Sequence, residues 1–137
     1  MAKAAKVKIV LFRAAADDYV SVGYSFAKER SSAEAYLDNP GFGGDKLYRA
    51  IIKVDLERVA DLRGRDVDEV VDEMGVEHPG AIGLDEWVTH MSGGNLRRAF
   101  VAKGFQWIIV DESFPEGTET WVWLGEGDEP ELKRVRG

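Results

Sequence analysis

Lys103-Gly-Phe-Gln-Trp-Ile-Ile-Val-Asp111, followed after a turn by Glu119-Thr-Trp-Val-Trp-Leu124, holds two short runs of β-branched and aromatic residues bounded by glycine and charge. This composition predicts strands over residues 106–110 and 120–124. In the second run Trp121 and Trp123 fall on one side, and Thr120, Val122 and Leu124 on the other. No charge interrupts either side, so both faces are expected to be at least half buried, with the tryptophans serving as core. The same signature recurs over residues 7–13, 23–26, 47–54 and 132–135, with most pairings expected between strands distant in sequence.

Helix signals fall between the early and late strands. Ser31 with Glu34 makes a capping box ahead of Ala33, Ala35, Tyr36 and Leu37, and Asn39-Pro40 stops that helix. Asp66 with Glu69 makes a second box, ahead of an apolar face of Val67, Val70, Val71 and Met74, and Gly75 stands in the position that ends the helix. Further helices are expected over residues 84–91 and 95–103, the latter closed by Gly104. Strands first, helices in the middle and strands again define an α+β chain rather than a series of βαβ units.

At 137 residues and 45% hydrophobic content the chain suits one domain with a single core. It has no cysteine, which removes disulfides, thiolate metal sites and cysteine nucleophiles, and suits a reducing compartment. The first apolar run, residues 7–12, is broken by Lys8 and is too short for a signal segment or a membrane span, so a cytoplasmic protein with no membrane partner is expected. A net charge of −7 disfavours nucleic acid as the main partner, because phosphate neutralisation needs clustered cations. Lys133, Arg134 and Arg136 form the one basic cluster of note, read as a solvated strand end. Gly41-Phe-Gly-Gly is followed by Asp45-Lys46 and is not a phosphate-binding loop, and no dinucleotide-binding glycine fingerprint is present. His78 and His90 have no metal-ligand spacing, so no metal is expected.

Chemistry-bearing residues cluster in two places. The first runs from Leu11-Phe12-Arg13-Ala14 through Gly23-Tyr24-Ser25-Phe26-Ala27 to Ser31-Ser-Ala-Glu-Ala-Tyr36. The second is the strand ending at Asp111-Glu112 and the segment Glu116-Gly-Thr-Glu119 that precedes the last tryptophan-rich strand. In order and spacing these stretches, from Leu11 to Val135, resemble the ADP-ribosyltransferase superfamily. The branch with an Arg-Ser-Glu set, found in small phage and bacterial mono-ADP-ribosyltransferases, is the nearest in pattern. Ser25 stands where the polymerase branch has tyrosine, and Gly117 stands where arginine-directed members carry an acid or amide.

The resemblance implies an α+β fold of two small, mainly antiparallel sheets around an NAD cleft, flanked by short helices. It also implies an activity: transfer of ADP-ribose from NAD to a macromolecular acceptor, expected to be a protein, with release of nicotinamide. The same scaffold also serves NAD glycohydrolases and non-catalytic protein-binding modules. Arg13, Ala14, Ser25, Phe26 and Tyr36 would contact NAD. Arg13 would grip phosphate or ribose, the Ala14 backbone would pair with the nicotinamide amide, Ser25 would order the ribose side, and Phe26 or Tyr36 would stack on the ring. Glu119 would be the catalytic carboxylate, with Asp111 and Glu112 as competitors for that role. The chemical need is plain: cleaving the nicotinamide–ribose bond develops positive charge on the sugar, and a fixed carboxylate stabilises it.

Overall fold

The computed structural model describes residues 6–15, 25–37, 46–75, 95–113, 116–126 and 129–136. Seven strands form one hydrogen-bonded sheet: β1 (Val7–Ala15), β2 (Ser25–Ala27), β3 (Lys46–Val54), β4 (Val59–Asp61), β5 (Trp107–Ser113), β6 (Glu116–Trp123) and β7 (Leu132–Arg136). Their spatial order is β4-β5-β6-β2-β1-β3-β7, and every pair is antiparallel except β4 with β5. Among the described residues three α-helices, α1 (Arg30–Leu37), α2 (Val67–Met74) and α3 (Asn95–Ala102), and a short 3₁₀ turn over Leu56–Arg58 accompany it. The α+β class is as expected, but one continuous sheet replaces the two separate small sheets. The join is slender. β2 has three residues and meets β1 at one paired position, Phe12 with Ala27, whereas β1 and β3 are paired over their full nine-residue lengths.

Alternation along the strands sorts the core into two faces. On the first face lie Leu11, Phe26, Tyr48, Ala50, Ile52, Val54, Trp107, Ile109, Trp121, Trp123 and Leu132. On the opposite face α2 and α3 supply Val70 and Phe100 to a cluster with Ile108, Val110, Val122 and Leu124, while α1 lays Ala33 against Ala27 and Leu47. Residues 120–124 are all buried, as the uncharged strand pattern requires. The tryptophans of β5 and β6 are core residues, with Trp107 edge-on to both Phe26 and Trp121 at centroid distances of 5.8 and 6.1 Å.

Local chemistry explains the ends of the helices. Gly75 and Gly104 follow α2 and α3 at φ of 65° and 91°, conformations that a side chain disfavours, and Gly104 N–H and Phe105 N–H return to the carbonyls of Val101 and Phe100. α1 starts at Arg30, one residue before the expected Ser31 cap: the amides of Ser32 and Ala33 donate to the carbonyl of Glu29, and Glu34 pairs with Arg30. β4 was not expected, and it is short enough that its pairing with β5 defines it. Lys133 and Arg134 lie exposed on the edge strand β7, where charge discourages pairing with another sheet. The expected helix over residues 84–91, both histidines and the glycine cluster at 41–44 lie outside the described residues.

Phe100 is 2% exposed and anchors α3 to the sheet, whereas Ile51 is 44% exposed. Phe100→Ala is expected to lower unfolding free energy by about 3–5 kcal/mol. Ile51→Ser is expected to change it by no more than about 0.5 kcal/mol. Urea denaturation of both variants beside the parent measures the difference.

Candidate functional site

The register of the sheet brings the two sequence clusters onto one face. Arg13 pairs with Tyr48 and shares the parity of Ile9, Leu11 and Ala15, all of the first face. Phe26 pairs with Trp121, and Glu119 stands two residues before that tryptophan on the same side of β6. Asp111 is directly opposite Glu119 on β5. In a flat sheet the Arg13 and Glu119 Cα atoms, two strands and two residues apart, would be separated by roughly 12 Å.

Arg13 lies where β1 and β2 part. Its Nη1 donates to the Ser25 carbonyl at 2.8 Å, and its guanidinium sits 5.9 Å from the centre of the Phe26 ring, within cation–π range. From Phe26 ring contacts continue through Trp107 to Trp121, whose indole Nε1 donates to Glu119 Oε2 at 2.7 Å. Arg13 and Glu119 therefore do not touch, but a wall of packed aromatic rings joins them.

Glu119 is held from a second side. Arg63, in the turn after β4, donates from Nη1 to Glu119 Oε1 at 2.6 Å. The same guanidinium grips Asp61 through two bonds, Nε to Oδ1 at 2.9 Å and Nη2 to Oδ2 at 2.7 Å, and the Arg63 backbone N–H also donates to Asp61 Oδ1. Because β4 and β6 flank β5, the Arg63 side chain crosses over β5 to join its two carboxylates. The Lys28 N–H donates to the Glu119 carbonyl, which extends the β2–β6 ladder and fixes the backbone beneath the carboxylate.

The other expected residues are placed as follows. Ser25 pairs with Val122, so alternation sends its side chain to the helix-covered face, and its carbonyl is what meets Arg13. Ala14 pairs with Leu47, half-buried on that same helix-covered face. Its backbone lies just beyond the single β1–β2 pair. Tyr36 belongs to α1, and Glu112 pairs with Thr118 through the backbone. The side chains of Tyr36 and Glu112 lie outside the described residues. The sequence pattern alone does not single out Asp61 and Arg63. The Asp-x-Arg spacing is their only local signal, and it acquires meaning from the parallel pairing of β4 with β5.

Among the described residues no group of three or more histidine, cysteine or acidic side chains is arranged to hold a metal ion, and no helix is long and apolar enough to cross a membrane. No known protein family, curated protein or solved structure matches the chain.

Hydrogen bonds from Arg63 stabilise the charged form of Asp61 and hold its carboxyl below the ordinary value of 3.8, while the guanidinium is driven further toward its charged form by Asp61, with Glu119 and Asp111 adding to the effect. A depressed carboxyl contributes stability that is present above its unfolded-state value and is lost as pH falls through the lower folded-state value. Arg63→Gln is therefore expected to return the Asp61 titration upward toward 3.8 and to remove that part of the acid-limb stability. Carboxyl ¹³C shifts followed between pH 2 and 6 in both proteins measure the change.

Proposed function

We propose that this protein is a mono-ADP-ribosyltransferase that cleaves NAD at the nicotinamide–ribose bond and passes ADP-ribose to a macromolecular acceptor, most naturally a protein. The reading rests on one observation: Glu119, a carboxylate with both oxygens engaged, shares a sheet face with Arg13, and a continuous aromatic wall runs between them. The order of the sequence motifs supplies the rest.

The chemistry follows from the charges. As the C1′–N bond breaks, its electron pair leaves with nicotinamide, and the ribose becomes cationic. Glu119 stabilises that cation, and because its carboxylate is already oriented, little reorganisation accompanies the step. The acceptor's nucleophilic atom then bonds to C1′, and its proton passes to water. Arg13 would hold the anionic part of the dinucleotide, for which a planar, permanently charged donor suits better than lysine. The Ala14 backbone, next to the end of the β1–β2 pairing, would pair with the nicotinamide carboxamide.

Incubation with NAD labelled in the adenylate moiety, with and without cell lysate, tests the assignment. Nicotinamide release together with label on lysate protein is the expected result. Release without transfer would make the protein a glycohydrolase, and absence of NAD binding by calorimetry would leave a binding module. Glu119→Gln is expected to lower turnover by about 100- to 1,000-fold, the usual effect of removing one electrostatic contact to a transition state. Arg13→Lys is expected to raise KM for NAD with a smaller change in kcat. A fully active Glu119→Gln protein beside an inactive Asp111→Asn protein would transfer the catalytic role to β5.

A further inference from the structure

We infer that Arg63, anchored by Asp61, is a positioning residue that holds the Glu119 carboxylate in its working orientation; its catalytic part rests on the function proposed above. An exposed ion pair usually contributes little, because two flexible chains must be ordered for a screened attraction. Three features set this one apart.

The first is that Arg63 is oriented before it meets Glu119. Two side-chain bonds and a backbone N–H bond tie it to Asp61, leaving Nη1 aimed across β5. Much of the ordering cost is thus met within one turn. The second is that Glu119 receives two different donors on its two oxygens, Arg63 on Oε1 and the Trp121 indole on Oε2. Trp121 is 3% exposed and packed edge-on to Trp107, so its N–H is a fixed reference point, and Arg63 sets the remaining rotation of the carboxylate.

The third is that Asp111 stands directly opposite Glu119 in the β5–β6 register. Like charges at opposed positions repel, and without a cation between the strands the Glu119 side chain would swing away from its neighbour and from the sheet. Arg63 feels both carboxylates, which favour its charged form, and so offsets their repulsion. A lysine could neutralise the charge, but it cannot fork toward Asp61 and reach Glu119 at the same time. The arrangement is a relay of fixed groups, Asp61 to Arg63 to Glu119 to Trp121, in which only Glu119 would face the reacting sugar.

The test uses the full chain and two readouts, one of which needs no activity. In ¹H–¹⁵N spectra the Trp121 indole N–H, assigned by its loss in Trp121→Phe, reports the bond to Glu119. Arg63→Gln and Asp61→Asn are expected to move that resonance in the direction seen for Glu119→Gln, while the other indole resonances stay in place. Arg63→Lys is expected to fall between parent and Arg63→Gln. In the NAD cleavage assay Arg63→Gln is expected to lower kcat by about 10- to 100-fold with KM for NAD changed less than twofold. Adding Arg63→Gln to Glu119→Gln should produce no further loss, as for two residues that act through one contact.

An unmoved Trp121 indole in Arg63→Gln, with the fold intact by backbone shifts, overturns the inference. So does a drop in rate that is additive with Glu119→Gln. If the parent protein cleaves no NAD, the function proposed above fails. The indole measurement then still decides whether Arg63 orients Glu119.

Discussion

The sheet is continuous because one three-residue strand, Ser25–Ala27, has a neighbour on each side: all three residues pair with β6, and Ala27 also pairs with β1. β2 takes β6 as one neighbour and β1 as the other, and with β1 it forms a single paired position before the strands part. On one flank β1, β3 and β7 are laddered together, and on the other β4, β5 and β6. Phe26, at the centre of this link, is 1% exposed and touches both Trp107 and the Arg13 guanidinium. Its burial fixes how the flanks lie relative to each other, and the geometry of the candidate site depends on that. Arg13 comes from one flank, while Glu119, Asp111 and Arg63 come from the other.

The pairing of β1 with β2 is confined to Phe12 and Ala27, next to Arg13. Along β1 successive residues turn their backbone groups alternately toward β3 and toward β2, so of Arg13 and Ala14 only one faces the β2 side. The Arg13 guanidinium, bonded to the Ser25 carbonyl and set against the Phe26 ring, ties β1 to β2 on the aromatic face.

The long elements were legible in the sequence because each carries its own periodic signal. The run of apolar residues over 47–54 marks β3 as a strand, but only the pairing shows that Ile51 faces out with Arg49 and Lys53 while Ile52 is buried with Ala50 and Val54. Glycines with positive φ at the ends of α2 and α3 were equally readable. The pairing of one strand with another was not, since a three-residue strand such as β4 has no pattern of its own and exists through its bonds to β5. The same reason hid half of the candidate site. Arg13, Glu119 and Asp111 stand out by type and position in their strands, but Arg63 matters only because the parallel placement of β4 brings its turn across β5 to Glu119. Ser25 shows the converse case: its type suggested a hydroxyl in the site, whereas the strand parity turns that hydroxyl away and presents the carbonyl.

The order β4-β5-β6-β2-β1-β3-β7 has a consequence for how the chain acquires its structure. β1 and β3 lie within the first fifty or so residues and can pair early, but the far neighbour of β2 is β6, at Glu116–Trp123, most of the chain length away. During synthesis the centre of the sheet therefore waits, its aromatic residues uncovered, until β6 has left the ribosome. Non-local closure of this kind slows folding and lengthens exposure to aggregation. Delayed cover for the central aromatic residues is a physical corollary of the strand order itself.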